Sequence, residues 1–442
     1  MKRVASVPVF AIGIVLSLVS CHDSNNSDNP VSESSPTADS FDSAIANDWF
    51  DLLRDLVREN SLSPPVASRL YGFAGITLYE AVVPGMKGFR SLAGTLIELD
   101  ALPKPAANQR YDWRAVANAA LARVAKGLLE GDASPESLAA IADLEGRFAP
   151  NMAKDLKERS AAYGRSLADA LLAWGARDGY TELKNCDYTP PVGEGLWVPT
   201  PPAYKPALQP CWGDIRPFVL DSSAICDPGP PTPYSEDPGS VFYAEAKEVY
   251  DTVEGLTDEQ MAIALFWSDD PGATGTPPGH WMSIVKQVVE QYGFKLDVAA
   301  EAYLRAGIAV HEAFIACWRT KYIYNLVRPV TYAQEVLGHS DWLPALVTPP
   351  FPEYTSGHSI QSGAVAEVLT DLFDDLPFED DTHHDRGVPA RHFASFHEAA
   401  EEAAISRLYG GIHYRLACMV GVNQGVCLAR EIVNRLSLAR EP

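Results

Sequence analysis

Three segments in the last third of the chain carry residues whose types and spacing suit the gripping of an oxyanion. The first is Lys321-Tyr-Ile-Tyr-Asn-Leu-Val-Arg328-Pro329. Seven residues are two helical turns, so a helix through this segment projects Lys321 and Arg328 from one face, about 10 Å apart along its axis. Long side chains rooted there can converge on an anion between them. Pro329 disfavours helical geometry at the residue before it, which places the helix end at Arg328. The second segment, Pro349-Pro-Phe-Pro-Glu-Tyr-Thr-Ser356-Gly357-His358, leads into a stripe of Val365, Val368, Leu369, Leu372, Phe373 and Leu376 at helical spacing. Ser356 and Gly357 therefore stand at a helix N-terminus, where free amides and the positive dipole end favour an anion. Gly357 also admits close backbone approach. The third segment is Ser406-Arg407-Leu-Tyr-Gly-Gly-Ile-His413. Gly410-Gly411 breaks a helical pattern there and can turn Arg407 and His413 toward one point.

Each segment alone has a plainer reading. Cations near a helix end complement the dipole, a serine is an ordinary N-cap, and a single histidine at a helix start is usually structural. Together, two Arg, one Lys, a Ser-Gly helix start and two His form a complete donor set for a tetrahedral or trigonal-bipyramidal oxyanion. The charge balance sharpens the point. Asp and Glu number 58 against 35 Lys and Arg, a formal net charge of −23. Such a surface repels nucleic acid and anionic headgroups. An anionic ligand must then be held by a local cluster of opposite sign, and these segments supply one.

The elements that must position this cluster read as helices. Trp49, Leu52, Leu53, Leu56 and Val57 recur at helical spacing, as do apolar residues in 66–84, 110–129, 156–176, 240–268, 280–293 and 296–322. Residues 184–240 interrupt the series with a Pro- and Gly-rich loop, whose Trp197, Tyr204, Trp212 and Phe218 suggest packing over a pocket. No alternating strand series stands out and no repeat recurs at a fixed period, so the expected fold is all-α, built from paired helical bundles. The 442 residues and 47% hydrophobic content suffice for a large core.

The order Lys-x6-Arg-Pro, Ser-Gly-His, Ser-Arg-x5-His over residues 321–413 resembles the signature of the vanadium-dependent haloperoxidases and the related type 2 phosphatidic acid phosphatases. Trp318, Phe266-Trp-Ser-Asp-Asp270 and Gly275-Thr-Pro-Pro278 are similar to the haloperoxidase side of that superfamily. The resemblance implies vanadate as cofactor, and hydrogen peroxide and halide as substrates giving hypohalous acid. It makes His413 the ligand to vanadium. Lys321, Arg328, Ser356, the Gly357 amide and Arg407 would hold the oxygens. His358 would be the acid–base group, Lys321 would polarise bound peroxide, and Asp270 would pair with Arg407. Phe351 and Trp318 would line the halide pocket, with Phe351 hinting at chloride. There are departures: Thr355 stands where the family usually has Pro, and Ala417 where many members carry an Asp that orients the histidine. Either another group orients His413, or its anion affinity is reduced. The motifs also fit an acid phosphatase or phosphotransferase forming a phosphohistidine, and, given Ala417, a non-catalytic oxyanion-binding lipoprotein.

The rest of the chain adds context. Lys2 and Arg3 precede an apolar run, Val7 to Val19, ending at Leu18-Val19-Ser20-Cys21. This reads as a lipoprotein signal peptide over 1–21 with Cys21 lipidated, followed by a flexible polar tether over 22–40 and a catalytic domain over 41–442. The expected location is the bacterial cell envelope, with the membrane met through that anchor alone. Six cysteines remain, an even number that permits disulfides in an exported protein. Cys186, Cys211 and Cys226 lie where a staple would help, while Cys317, Cys418 and Cys427 fit buried thiols equally well. His383, His384, His392 and His397 read as a solvated loop rather than a metal site, and His280 and His311 as core or pocket-edge histidines.

Overall fold

The computed structural model describes residues 34–148 and 151–439. The signal-peptide reading, with Cys21, lies outside them, as does the tether as far as residue 33. The end of that tether is packed down. Ser35 Oγ accepts from the Tyr111 amide at 2.9 Å, the Pro36 carbonyl accepts from Trp113 Nε1 at 2.8 Å, and Ala38 is buried.

Helices dominate. The N-terminal half holds α1 (Ala44–Glu59), α2 (Pro64–Val82), α3 (Trp113–Leu128), α4 (Pro135–Arg147), α5 (Lys154–Gly175) and the single turn α6 (Tyr180–Leu183). After the long loop come α7 (Val241–Glu254), α8 (Asp258–Phe266), α9 (Thr276–Gln291), α10 (Leu296–Tyr324), α11 (Pro329–Glu335), α12 (Gly357–Phe373), α13 (Phe396–Tyr409) and α14 (Arg415–Arg435). The strands described are β1 (Phe378–Asp380) and β2 (Arg391–Phe393), an antiparallel pair with Phe378 opposite Phe393. Three-residue strands offer too little alternation to be read from sequence.

The 29-residue α10 is buried along nearly its whole length. It has apolar residues on every face, the pattern of a central helix. It packs against α2 on one side and α12 on the other, and α12 packs in turn on α14. Two of these seams depend on close backbone approach. A Cβ on Gly75 would collide with the Tyr303 carbonyl across α2–α10, and one on Gly425 with the Ile360 carbonyl across α12–α14. By length and composition α14 alone among the described helices could span a membrane, but its Ala417, Gly421, Gly425, Leu428 and Ile432 are buried.

The segment 184–240 is pinned to this framework. Glu312 of α10 accepts the amides of Phe218 and Val219, each at 2.7 Å. The Leu208 carbonyl accepts from Trp318 Nε1 at 3.1 Å and from the Tyr322 hydroxyl at 2.8 Å. One disulfide, Cys186–Cys211, closes the loop on itself and another, Cys226–Cys427, ties it to α14, while Cys317 and Cys418 are buried free thiols. Trp197, Trp212 and Phe218 are buried as expected, whereas Tyr204 is 63% exposed.

Candidate active site

The site is assembled where α10, the 349–356 connection, α12 and the α13–α14 turn meet. Lys321 does lie on α10, but the helix ends at Tyr324. Asn325 adopts a left-handed conformation at φ 47°, and Arg328, extended at φ −79° and ψ 151°, caps α11. The two cations therefore do not share a helix face. The turn between them, rather than a two-turn helical spacing, brings them together, because Asn tolerates the left-handed region that a continuous helix excludes.

The connection Phe351-Pro352-Glu353 is the spine of the site. Its carbonyls fix both cations: Lys321 Nζ donates to Pro352 O at 2.8 Å and Glu353 O at 2.9 Å, and Arg328 Nε donates to Phe351 O at 2.8 Å. The Phe351 ring lies 5.0 Å from Lys321 Nζ and 5.0 Å from Arg328 Cζ, so its face also meets both charges. The Glu353 carboxylate turns to the third element. Its Oε1 accepts from His413 Nδ1 at 2.7 Å and from the Tyr414 amide at 3.0 Å.

Glu353 thus supplies the carboxylate that Ala417 does not. A neutral imidazole has one N–H, and its donation to Glu353 leaves the lone pair on Nε2. That nitrogen lies 3.2 Å from Arg328 Nη1. Burial first, then Arg328, Lys321 and Arg407, push the His413 pKa well below the ordinary histidine range, so the ring is neutral and its Nε2 lone pair accepts from Arg328 Nη1. The same burial lowers Lys321 to about 7 and Arg328 and Arg407 to about 10, and raises Glu353 to about 7. Three buried cations face one carboxylate. Arg328 Nη2 is buried without a partner. A buried, unpaired guanidinium nitrogen is costly, and an oxyanion beside His413 Nε2 is the group that fits it.

Ser356 caps α12, its Oγ accepting from the Ser359 amide at 3.3 Å, which leaves the hydroxyl hydrogen free to donate. His358, in the first turn, is held at the Trp267 backbone, has its Nε2 unpartnered, and is driven well below the ordinary pKa by burial and by Arg407. Arg407 at the end of α13 donates to Ser406 Oγ at 2.9 Å and to the carbonyls of Trp267 and Ala264 at 2.7 and 3.3 Å. The expected pairing of Asp270 with Arg407 is not a direct one. Asp270 lies on the exposed rim and acts on Arg407 through space, while the buried Asp269 exerts the larger pull.

These groups border one cavity of about 480 Å³. Gly357, His358, Arg407 and His413 line it, together with Trp318 and Phe351, Asp269 and Asp270, and Thr200–Ala203 of the long loop. Lys321, Arg328 and Ser356 are fully buried and do not line the cavity. The structure therefore brings every residue of the three motifs to one place.

Sequence reasoning missed Glu353, although a lone carboxylate in the apolar run from Trp342 to Tyr354 was a signal. It also missed the cluster around His280. That ring is satisfied on both sides, by Asp269 and by Asp380 at 2.8 Å each, and His383, read as solvated, is 2% exposed beside them. His384 and His392 are exposed, and His397 pairs with Glu367 at 3.2 Å. His311 is core, stacked on Phe218, with neither ring nitrogen hydrogen-bonded.

Residues 301–441 match the family model described as the VCPO second helical-bundle domain. A vanadium chloroperoxidase from Curvularia inaequalis is 28% identical in a match covering 35% of this chain and 36% of that protein, so about a third of that relative's length is matched. The crystal structure of a bacterial vanadium-dependent chloroperoxidase in its holo form superposes with a TM-score of 0.65 at 16% identity, covering 86% of this chain and 94% of that one, a likeness of fold. The structure described as the first bacterial vanadium-dependent iodoperoxidase superposes with a TM-score of 0.84 over 92% of this chain and 99% of its own. Its sequence is 38% identical, and with that identity along nearly its whole length the chain belongs to the vanadium haloperoxidase family.

Proposed function

We propose that the protein oxidises halide with hydrogen peroxide to hypohalous acid, using vanadate held at His413. The observation that carries this is the neutral His413, fixed by Glu353 at Nδ1 and with Nε2 3.2 Å from Arg328 Nη1, together with the buried Arg328 Nη2 that no protein group satisfies. Arg328, Lys321, Arg407, the Ser356 hydroxyl and the Gly357 amide would hold the oxygens, and His413 the metal. Bound vanadate supplies a Lewis acid that need not change oxidation state. His358 exchanges a proton at Nε2, and its depressed pKa leaves that nitrogen free to accept one. Lys321, held by the Pro352 and Glu353 carbonyls, would place positive charge beside the oxygens of the bound anion. The Phe351–Trp318 wall gives a halide an apolar place beside two cations.

The same proposal places the protein outside the cytoplasm, anchored through Cys21. The signal-like segment supports that reading, and so do two disulfides that suit an oxidising compartment. The reading is tested with purified protein, with and without orthovanadate, following monochlorodimedone halogenation and iodide oxidation, with p-nitrophenyl phosphate hydrolysis in parallel. Vanadate-dependent oxidation of at least one halide is expected, and the three halides rank the pocket. Phosphatase activity that vanadate inhibits, without halide oxidation, would move the chain to the phosphatase branch. Neither activity would leave an oxyanion-binding protein.

A further inference from the structure

A second polar cluster lies behind the wall of the oxyanion cavity. Asp269 comes from the connection after α8, His280 from α9, Asp380 from β1 and His383 from the turn that follows, and none is more than 4% exposed. His280 Nε2 lies 2.8 Å from Asp380 Oδ2. The other Asp380 oxygen accepts from the Thr382 amide at 3.0 Å and its hydroxyl at 2.6 Å. The carboxylate is thereby fixed and calls for a hydrogen on Nε2. The lone-pair side of a neutral ring is then Nδ1, and it meets Asp269 Oδ2 at 2.8 Å. A lone pair facing a carboxylate oxygen is repulsive unless a proton lies between them or a metal ion binds both from beside the line that joins them, because two metal–ligand bonds of about 2.0–2.2 Å do not fit end to end within 2.8 Å. Two more atoms mark the place. Asp269 Oδ1 and His383 Nε2 are buried without a hydrogen-bond partner, although they face each other at 3.5 Å.

We propose that Asp269, His280 and His383 bind one divalent transition-metal ion of the zinc class. One ligand atom from each lies within 4.8 Å of the others. Two imidazoles and a carboxylate are the donor set of many catalytic zinc and non-haem iron sites. Asp380 is the outer carboxylate that sets the tautomer of a ligating histidine. His383 borders a separate surface cavity of about 390 Å³, shared with Asp381, Thr382 and Gln287, which gives an ion a route in. On binding, the ion meets His280 Nδ1 and Asp269 Oδ2 from beside the line that joins them, and the proton between those atoms leaves to solvent. Arg386 Nη1 approaches His383 Nδ1 at 3.4 Å. Its side chain is exposed, so it swings outward when Nδ1 must carry the hydrogen. The ion would share Asp269 with the wall of the oxyanion cavity, but its ligands do not depend on what that cavity binds.

Chelator-treated, vanadate-free protein titrated with cobalt chloride tests this, with absorption spectroscopy followed by zinc chloride displacement and metal analysis by mass spectrometry. One equivalent of Co²⁺ with visible ligand-field bands, discharged by Zn²⁺, is the expected result. His383→Gln, at the cavity edge, is the deciding variant and should weaken Co²⁺ at least tenfold. Asp380→Asn should weaken it about 10–100-fold, and His358→Ala, on the other side of the wall, should leave it unchanged. Circular dichroism checks that each variant is folded. Absence of stoichiometric Co²⁺, or bands that persist in folded His383→Gln, would overturn the site and leave a proton between His280 and Asp269.

Discussion

The two buried polar regions on either side of Asp269 use the same side-chain types and reach opposite charge states. Around His413, the carboxylate of Glu353 meets Nδ1 while Arg328 stands at Nε2, and the ring is held neutral. Around His280, carboxylates meet both nitrogens and raise the pKa to about 9, so the metal-free ring is charged. Both rings are fully desolvated, and desolvation lowers both. The flanking charges decide the outcome. The His280 region balances two carboxylates with one imidazolium from within the protein. The His413 region keeps three cations against one carboxylate, and the proposed anion site rests on that surplus.

The comparison breaks most visibly at the histidines. His413→Ala should abolish stoichiometric vanadium binding, measured by metal analysis after gel filtration, and retained vanadium would refute its role as ligand. His358→Ala should cost about 10²–10⁴-fold in turnover while the protein still takes up vanadate, and unchanged halide oxidation would remove it from proton transfer. Next comes Glu353→Gln, which keeps an acceptor near Nδ1 but removes the charge. Vanadate affinity should fall about 10–100-fold in an ultraviolet-difference titration, and no change would return the orienting role to an unidentified group.

A smaller effect is expected from pH. Without an anion Lys321 titrates at about 7, and a bound anion stabilises its charged form. Affinity should therefore be level below that pH and weaken as pH rises through it. Competition by phosphate and vanadate across pH 6–9 would show the bend, which Lys321→Gln should remove. The smallest effect is expected at Ala417, buried in α14. Because Glu353 already occupies His413 Nδ1, Ala417→Asp should bring no gain in vanadate affinity, and a clear gain would show that Glu353 orients the ring poorly.

The oxyanion motifs were legible because each places its residues within a single turn or connection. Ser356 and Gly357 do start a helix, and Gly410-Gly411 does break α13 from α14, with Gly411 in the left-handed region at φ 75°. The helical course of the chain followed from apolar spacing, and the long loop from its Pro and Gly content. The Lys321–Arg328 reading failed in its route: both cations bond the 351–353 connection, but not from one helix face. A seven-residue spacing is equally met by a helix end, a left-handed Asn and an extended residue.

What the amino-acid sequence determined by itself was the candidate residues, their order along the chain and the helices that carry them, all properties of local spacing and backbone preference. Tertiary structure decided which carboxylate serves which imidazole. Glu353 reaches His413 across 60 positions, and Asp380 reaches His280 across 100. Pairings of that kind arise only when the packing of α10, α12 and α14 brings separate segments into one buried place. There each unpaired charge is costly, and its partner is chosen by proximity in space rather than along the chain.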